Sequence, residues 1–178
     1  MPRYAVLLRG VNVGKGNRLA MADFRALLEG LGCSGVRTLL NSGNAVFTAP
    51  GRSAPRLAAA IGAAIHASCG FQLAVVVQSA ATFDAVIADN PAVPPADGHA
   101  RFLVAFAQDG TALEPLEVLR TLAGPQELFH IGAHAAYLFC TPGILESKLA
   151  AAMLGKAGRG VTTRNWATVL KLQGLLRS

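Results

Sequence analysis

A chain of 178 residues, 52% apolar and 15% charged, has the material to bury one or two compact cores and is expected to be soluble. Its longest uncharged apolar run, residues 57–65, is about half a bilayer span, and the apolar stretch after Arg3 is too short for a secretory signal, so a membrane partner is excluded and a cytoplasmic location expected. The net charge of +6 favours an anionic partner, while three widely spaced cysteines, Cys33, Cys69 and Cys140, exclude a disulfide framework and a zinc knuckle and read as reduced packing residues.

Residues 4–8 (YAVLL) form a short apolar strand pattern. In 21–32, Phe24, Leu27, Leu28 and Leu31 recur at helical intervals, and 36–40 (VRTLL) return to a strand. Ser42-Gly43, between that strand and 44–47 (NAVF), is a hairpin signal. A second helix over 54–68 and a strand at 72–77 complete the order β-α-β-β-α-β, the split βαβ or ferredoxin-like α/β plait. Residues 79–98 break this rhythm with a short helical stretch followed by NPAVPPADG, whose prolines mark an irregular connection. A strand at 101–107, a helix over 113–122, a strand at 127–131, a turn at Gly132, a strand at 135–140, a helix over 145–154 and a short GVTT strand then repeat the order. The expected fold is therefore α+β: two tandem ferredoxin-like domains, 1–78 and 99–178, joined by a linker at 79–98 and followed by a C-terminal helix over 165–176.

Charge divides along the same lines. Residues 1–78 carry +6, 79–141 carry −5 and 142–178 carry +5. Twelve of the sixteen cations are arginine, whose planar fork suits phosphate and carboxylate. An anionic partner for the basic ends is one reading; packing of the acidic middle near a basic end is the other.

Polar residues gather in three clusters. RGVNVGKGN at 9–17 closes the first strand, yet its glycines at 10, 14 and 16 match neither the P-loop nor the dinucleotide spacing. What remains is an anion-binding nest beside Arg9 and Lys15, set against an ordinary polar turn. The second cluster is NSGN at 41–44. In a plait the first two strands run the same way, which brings Arg9, Asn12, Lys15, Asn41, Ser42 and Asn44 to one rim. The third combines ESK at 146–148 with TTRNW at 162–166, where Lys148, Arg164 and Asn165 are expected to approach each other and Asn165 to cap the last helix. His130 and His134 flank a turn and point apart, so neither a metal nor any other cofactor is expected. No G-x-S-x-G or Cys-His signature is present, and the Ser42 hydroxyl has no nearby base in sequence.

Taken together, LLRGVNVGKGN, MADFRALLEGLG, VRTLLNSGNAVF, SKL and TTRNWATVLKL closely resemble the bacterial family catalogued as domain of unknown function 1697. The resemblance runs from residue 4 to about 172 and implies a tandem of plait-like domains without an established activity. Its motif positions fall on Arg9, Gly10, Asn12, Gly14, Met21, Arg37, Ser42, Gly43, Asn44, Lys148, Arg164, Asn165 and Trp166. Lys15 and Cys33 depart from the residues usual at their positions.

Three readings follow. The leading one is a binding protein for an anionic ligand, either a nucleic-acid backbone or a phosphorylated small molecule. The second is an enzyme acting on a small polar substrate in a cleft between the domains, for which no proton-transfer residue is evident. In the third, Arg37, Asn41, Asn44 and Asn165 serve the structure by satisfying backbone groups.

Overall fold

The computed structural model describes residues 1–178 and divides into two compact units, Met1–Phe83 with Leu172–Ser178, and Asp84–Lys171. The first unit contains β1 (Arg3–Leu8), α1 (Met21–Gly30), β2 (Ser34–Leu39), β3 (Asn44–Thr48), α2 (Ala54–Cys69) and β4 (Val75–Ser79). The chain continues through α3 (Ala80–Ala88) into β5 (Phe102–Ala107), β6 (Leu128–Ile131), β7 (Ala135–Phe139), α4 (Lys148–Leu154) and β8 (Val161–Asn165), and α5 (Trp166–Arg177) closes it. Each unit has one four-stranded antiparallel sheet, ordered β2-β3-β1-β4 in the first and β6-β7-β5-β8 in the second. The protein is thus a mixed α+β fold with two sheets.

In the first sheet Tyr4, Val6 and Leu8 of β1 share a face with Ala45 and Phe47 and pack against Phe24, Leu28, Leu57, Ile61 and Ile65 of the two helices. Each fully buried Leu, Ile or Phe of this layer contributes roughly 2 kcal/mol. The alternate residues Ala5 and Leu7 are also fully buried, which is why β1 reads as an unbroken apolar run rather than an alternation. Local chemistry sets the helix ends. The α2 helix stops where Gly70 adopts φ 78° and its N–H donates to the His66 carbonyl at 2.9 Å. The start of α3 is held by Ser79, whose Oγ accepts from the Thr82 amide at 3.2 Å.

In the second unit Leu103, Ala105, Ala136 and Leu138 face Leu149, Ala150 and Met153 of α4. The helix expected over 113–122 is instead a 3-10 helix, Glu114–Leu122. The apolar spacing explains the tighter winding: Leu113 just before the helix and Leu116 and Leu119 within it stand three apart, and a turn of three residues lines them up on one buried edge. The last helix was expected to belong wholly to the second domain. Its final residues, from Leu172, group with the first unit, because Arg3 Nη1 donates to the Leu176 carbonyl at 2.8 Å and Arg37 Nη2 to that of Leu175. The expected linker at 79–98 is partly regular: it contains α3 and the start of a 3-10 helix at Ala96–Arg101. No helix is long and apolar enough to cross a membrane.

One buried polar contact ties the second sheet to α3. The Tyr137 hydroxyl donates to the Val86 carbonyl at 2.6 Å, and burial, followed by the Asp89 charge, pushes its pKa above the ordinary phenol value. Tyr137→Phe strands a buried carbonyl and is expected to lower the unfolding free energy by about 2 kcal/mol in chemical denaturation. The phenol stabilises the fold while protonated in both states. That contribution declines once pH rises past about 10, where the unfolded chain ionises first, so the gap between wild type and variant narrows there.

Candidate functional site

The polar rim of the first unit is built where β1 and β2 end. Both strands pair antiparallel to β3, so they run in the same direction and deliver the loop after β1 and the hairpin after β2 to one end of the sheet. The Leu8 amide donates to the Gly43 carbonyl at 2.9 Å, and the Arg9 amide to that of Ala74 at 3.0 Å. Gly43 adopts φ 83°, and a Cβ there would lie 2.7 Å from Leu8 Cβ and 2.8 Å from Val11 Cγ2. Only glycine permits this approach.

Asn12 fastens loop and hairpin together. Its Nδ2 donates to the carbonyls of Leu19 and Asn41, both at 2.7 Å, while its Oδ1 accepts from the Leu19 amide at 3.0 Å. Asn44 is fully buried and donates from Nδ2 to the Leu39 carbonyl and to Ser42 Oγ, each at 3.0 Å. These two amides hold backbone in place. The structure therefore brings Arg9, Asn12, Asn41, Ser42 and Asn44 together at one end of the sheet, with Lys15 exposed on the same loop.

The loop itself alternates in hand: Gly10, Asn12 and Gly14 have φ values of 72°, 56° and 56°, and the residues between them do not have positive φ. Such alternation turns successive N–H groups toward one side. No internal hydrogen bond engages the amides of Val13, Gly14 or Lys15, and all three residues are exposed. Arg9 is half-buried, and the loss of water around it lowers its pKa. Arg18 also belongs to this loop, with Nη2 donating to the Gly14 carbonyl. The sequence reading overlooked it, although it precedes Asp23, the first carboxylate of the chain.

The third cluster does not assemble as expected. On β8, Arg164 sits opposite Val104, whereas Asn165 and Thr163 sit opposite Leu103 and Ala105. Because Leu103 and Ala105 face α4, Arg164 lies on the far face of the sheet from the helix that carries Lys148. The parity of the strand separates the two cations. Arg164 is only 8% exposed, donates to Thr162 Oγ1 and the Thr163 carbonyl at 2.7 Å, and has its pKa pushed down by desolvation to about 10, which leaves it charged at neutral pH. Asn165 caps α5, its Oδ1 accepting from the Thr168 amide at 3.0 Å. Lys148 is exposed and shares a cavity with Glu127, Glu146 and Thr141.

Conventional nucleophiles are poorly prepared. Burial raises the pKa of both Cys33 and Cys140, which keeps the thiols protonated. No group of three or more His, Cys, Asp and Glu side chains is placed to hold a metal ion.

The hairpin yields paired predictions. Gly43→Ala combines a positive φ with a steric clash and is expected to cost about 3 kcal/mol in equilibrium unfolding. Leu40, exposed with φ 57°, is strained for a side chain of its kind. Leu40→Gly is expected to raise stability by about 0.5 kcal/mol, since relief of the αL strain outweighs the added freedom of the unfolded chain.

Comparison with known proteins agrees with this architecture. A solved structure, described as that of the conserved bacterial protein SP0830 from Streptococcus pneumoniae, is similar with a TM-score of 0.80 and 25% identity, covering 98% of this chain and 98% of that one. No curated protein matches the chain. The family profile described as "Protein of unknown function (DUF1697)" matches residues 1–137, and because that span is more than half of the chain, the protein belongs to the DUF1697 family.

Proposed function

We propose that the protein binds phosphate-bearing ligands through the loop 9–18 of its first unit, taking either a nucleic-acid backbone or a phosphorylated small molecule. The observation that carries this reading is the loop's alternating backbone, with exposed amides at Val13, Gly14 and Lys15 beside the cations Arg9, Lys15 and Arg18 and no intervening carboxylate. Amides turned to one side and flanked by guanidinium and ammonium groups suit a polyoxyanion. Base stacking is disfavoured, since Phe47 is buried and stacked on Tyr4 with ring centroids 5.9 Å apart. Asn12, Asn41, Ser42 and Asn44 act in this reading as the scaffold that positions the loop; Lys148, Arg164 and Asn165 are left out of the site.

Each unit is read as a ferredoxin-like plait, supported by the β-α-β-β-α-β order of the first and by the same strand order in both sheets. A bacterial cytoplasmic setting is in keeping with three free cysteines.

Fluorescence anisotropy with a labelled single-stranded oligonucleotide, in competition with a nucleoside triphosphate, tests the proposal. For a nucleic-acid backbone, affinity falls steeply with salt, and Lys15→Ala lowers the salt slope by about one while weakening binding to all sequences alike. For a small phosphorylated ligand, the triphosphate competes and the salt slope is shallow. Arg164→Ala is expected to leave affinity unchanged while lowering thermal stability. Failure of both probes to bind, or equal binding by the Lys15→Ala and Arg18→Ala variants, overturns the reading.

A further inference from the structure

A second place in the first unit concentrates positive charge, on the face of the sheet turned away from α1 and α2 and apart from the loop 9–18. Strand register puts it together. Arg3 of β1 stands opposite Thr48 of β3, and Arg37 of β2 stands opposite Val46. Thr48 and Val46 are two residues apart on one strand, so all four side chains leave the sheet on one face. Between Ser34 and Arg37 the register slips, three steps on β2 matching two on β3. This bulge contains Gly35, with φ 60° and open space where a Cβ would be. The end of α5 closes the other side, and the result is a cavity of about 330 Å³ lined by Arg3, Gly35, Arg37, Val46, Thr48 and Leu175, among others.

The two guanidiniums are fixed before any ligand arrives. Arg3 Nη1 donates to the Leu176 carbonyl at 2.8 Å, Arg37 Nη2 to that of Leu175, and Arg37 Nη1 to Ser178 Oγ at 2.7 Å. A guanidinium carries five N–H donors, so these contacts leave several on each side chain unused. The α5 carbonyls present a partial negative charge to the cavity, and neither Asp nor Glu lines it. A pocket of small-molecule size with two guanidiniums held in fixed directions and a threonine hydroxyl is chemically complementary to a compact oxyanion.

We infer that the Arg3–Arg37–Thr48 pocket is a binding site for the phosphate group of a small molecule. The site does not depend on the loop 9–18, and the experiment separates the two. In 15N-edited NMR spectra of the full chain titrated with inorganic phosphate, saturable shifts are expected at Gly35, Arg37 and Thr48, with acetate producing much weaker ones. Thr48→Val removes one donor with little change of shape, and Arg37→Met removes the charge; each is expected to weaken the phosphate response about tenfold. If Arg37→Met fails to fold because α5 loses its anchor, Thr48→Val carries the test. The inference is overturned if Gly35, Arg37 and Thr48 do not respond, if they respond equally to acetate, or if the response survives unchanged in Thr48→Val. Shifts confined to Gly10–Arg18 also overturn it, while supporting the loop as the phosphate site.

Discussion

The arrangement of the first unit depends on the close approach of β1 to the β2–β3 hairpin at Gly43. The Leu8 amide reaches the Gly43 carbonyl, and no side chain stands between them. Widening that contact by a methyl group pushes against Leu8 and Val11 at once, and Val11 is 1% exposed inside the core. The loop after β1 therefore has its course dictated by packing before any polar contact is made. Asn12 then fixes the detail, bonding one segment to the next at both ends of its amide.

This order of construction separates two roles that look alike in a polar motif. Asn12 and Asn44 are surrounded by backbone groups, and their hydrogen-bonding capacity is directed inward. Removing the buried amide of Asn44 is costly because it leaves a carbonyl without its donor. Lys15 lies in the solvent on the same loop. In the proposed reading a ligand would meet the cations and the amides of the exposed residues first, while the asparagines keep those donors from moving; holding the loop in place beforehand would lower the entropy lost on binding.

Much of this was legible in the sequence, for identifiable reasons. The order of strands and helices follows from apolar periods, and the meeting of residues 9–17 with 41–44 follows from the shared direction of β1 and β2. The leucines at 113, 116 and 119 carry the 3-10 signal, but an i, i+3 repeat also fits an α-helix face, and packing chose the tighter turn. Lys148 and Arg164 were grouped by the end of the sheet at which they lie; the parity of β8 decides the face, and it depends on register that a single short strand does not declare. The pairing of Arg3 with Arg37 was out of reach because it needs the bulge at Gly35 and the return of α5, two tertiary events.

The arginines connect these observations. Arg3, Arg18, Arg37 and Arg101 each donate to a backbone carbonyl, at Leu176, Gly14, Leu175 and Thr141 respectively. A guanidinium bonded to a carbonyl is held in place without being neutralised, whereas an ion pair such as the exposed one between Arg120 and Glu117 cancels its own field. Backbone-anchored arginines therefore give rigidity and keep their charge. A lysine has spare donors but not the planar fork that binds a carbonyl and an oxyanion at once in fixed geometry. The preference for arginine over lysine in this chain is consistent with a protein that uses cations as struts, and it is what the proposed recognition of an oxyanion would need.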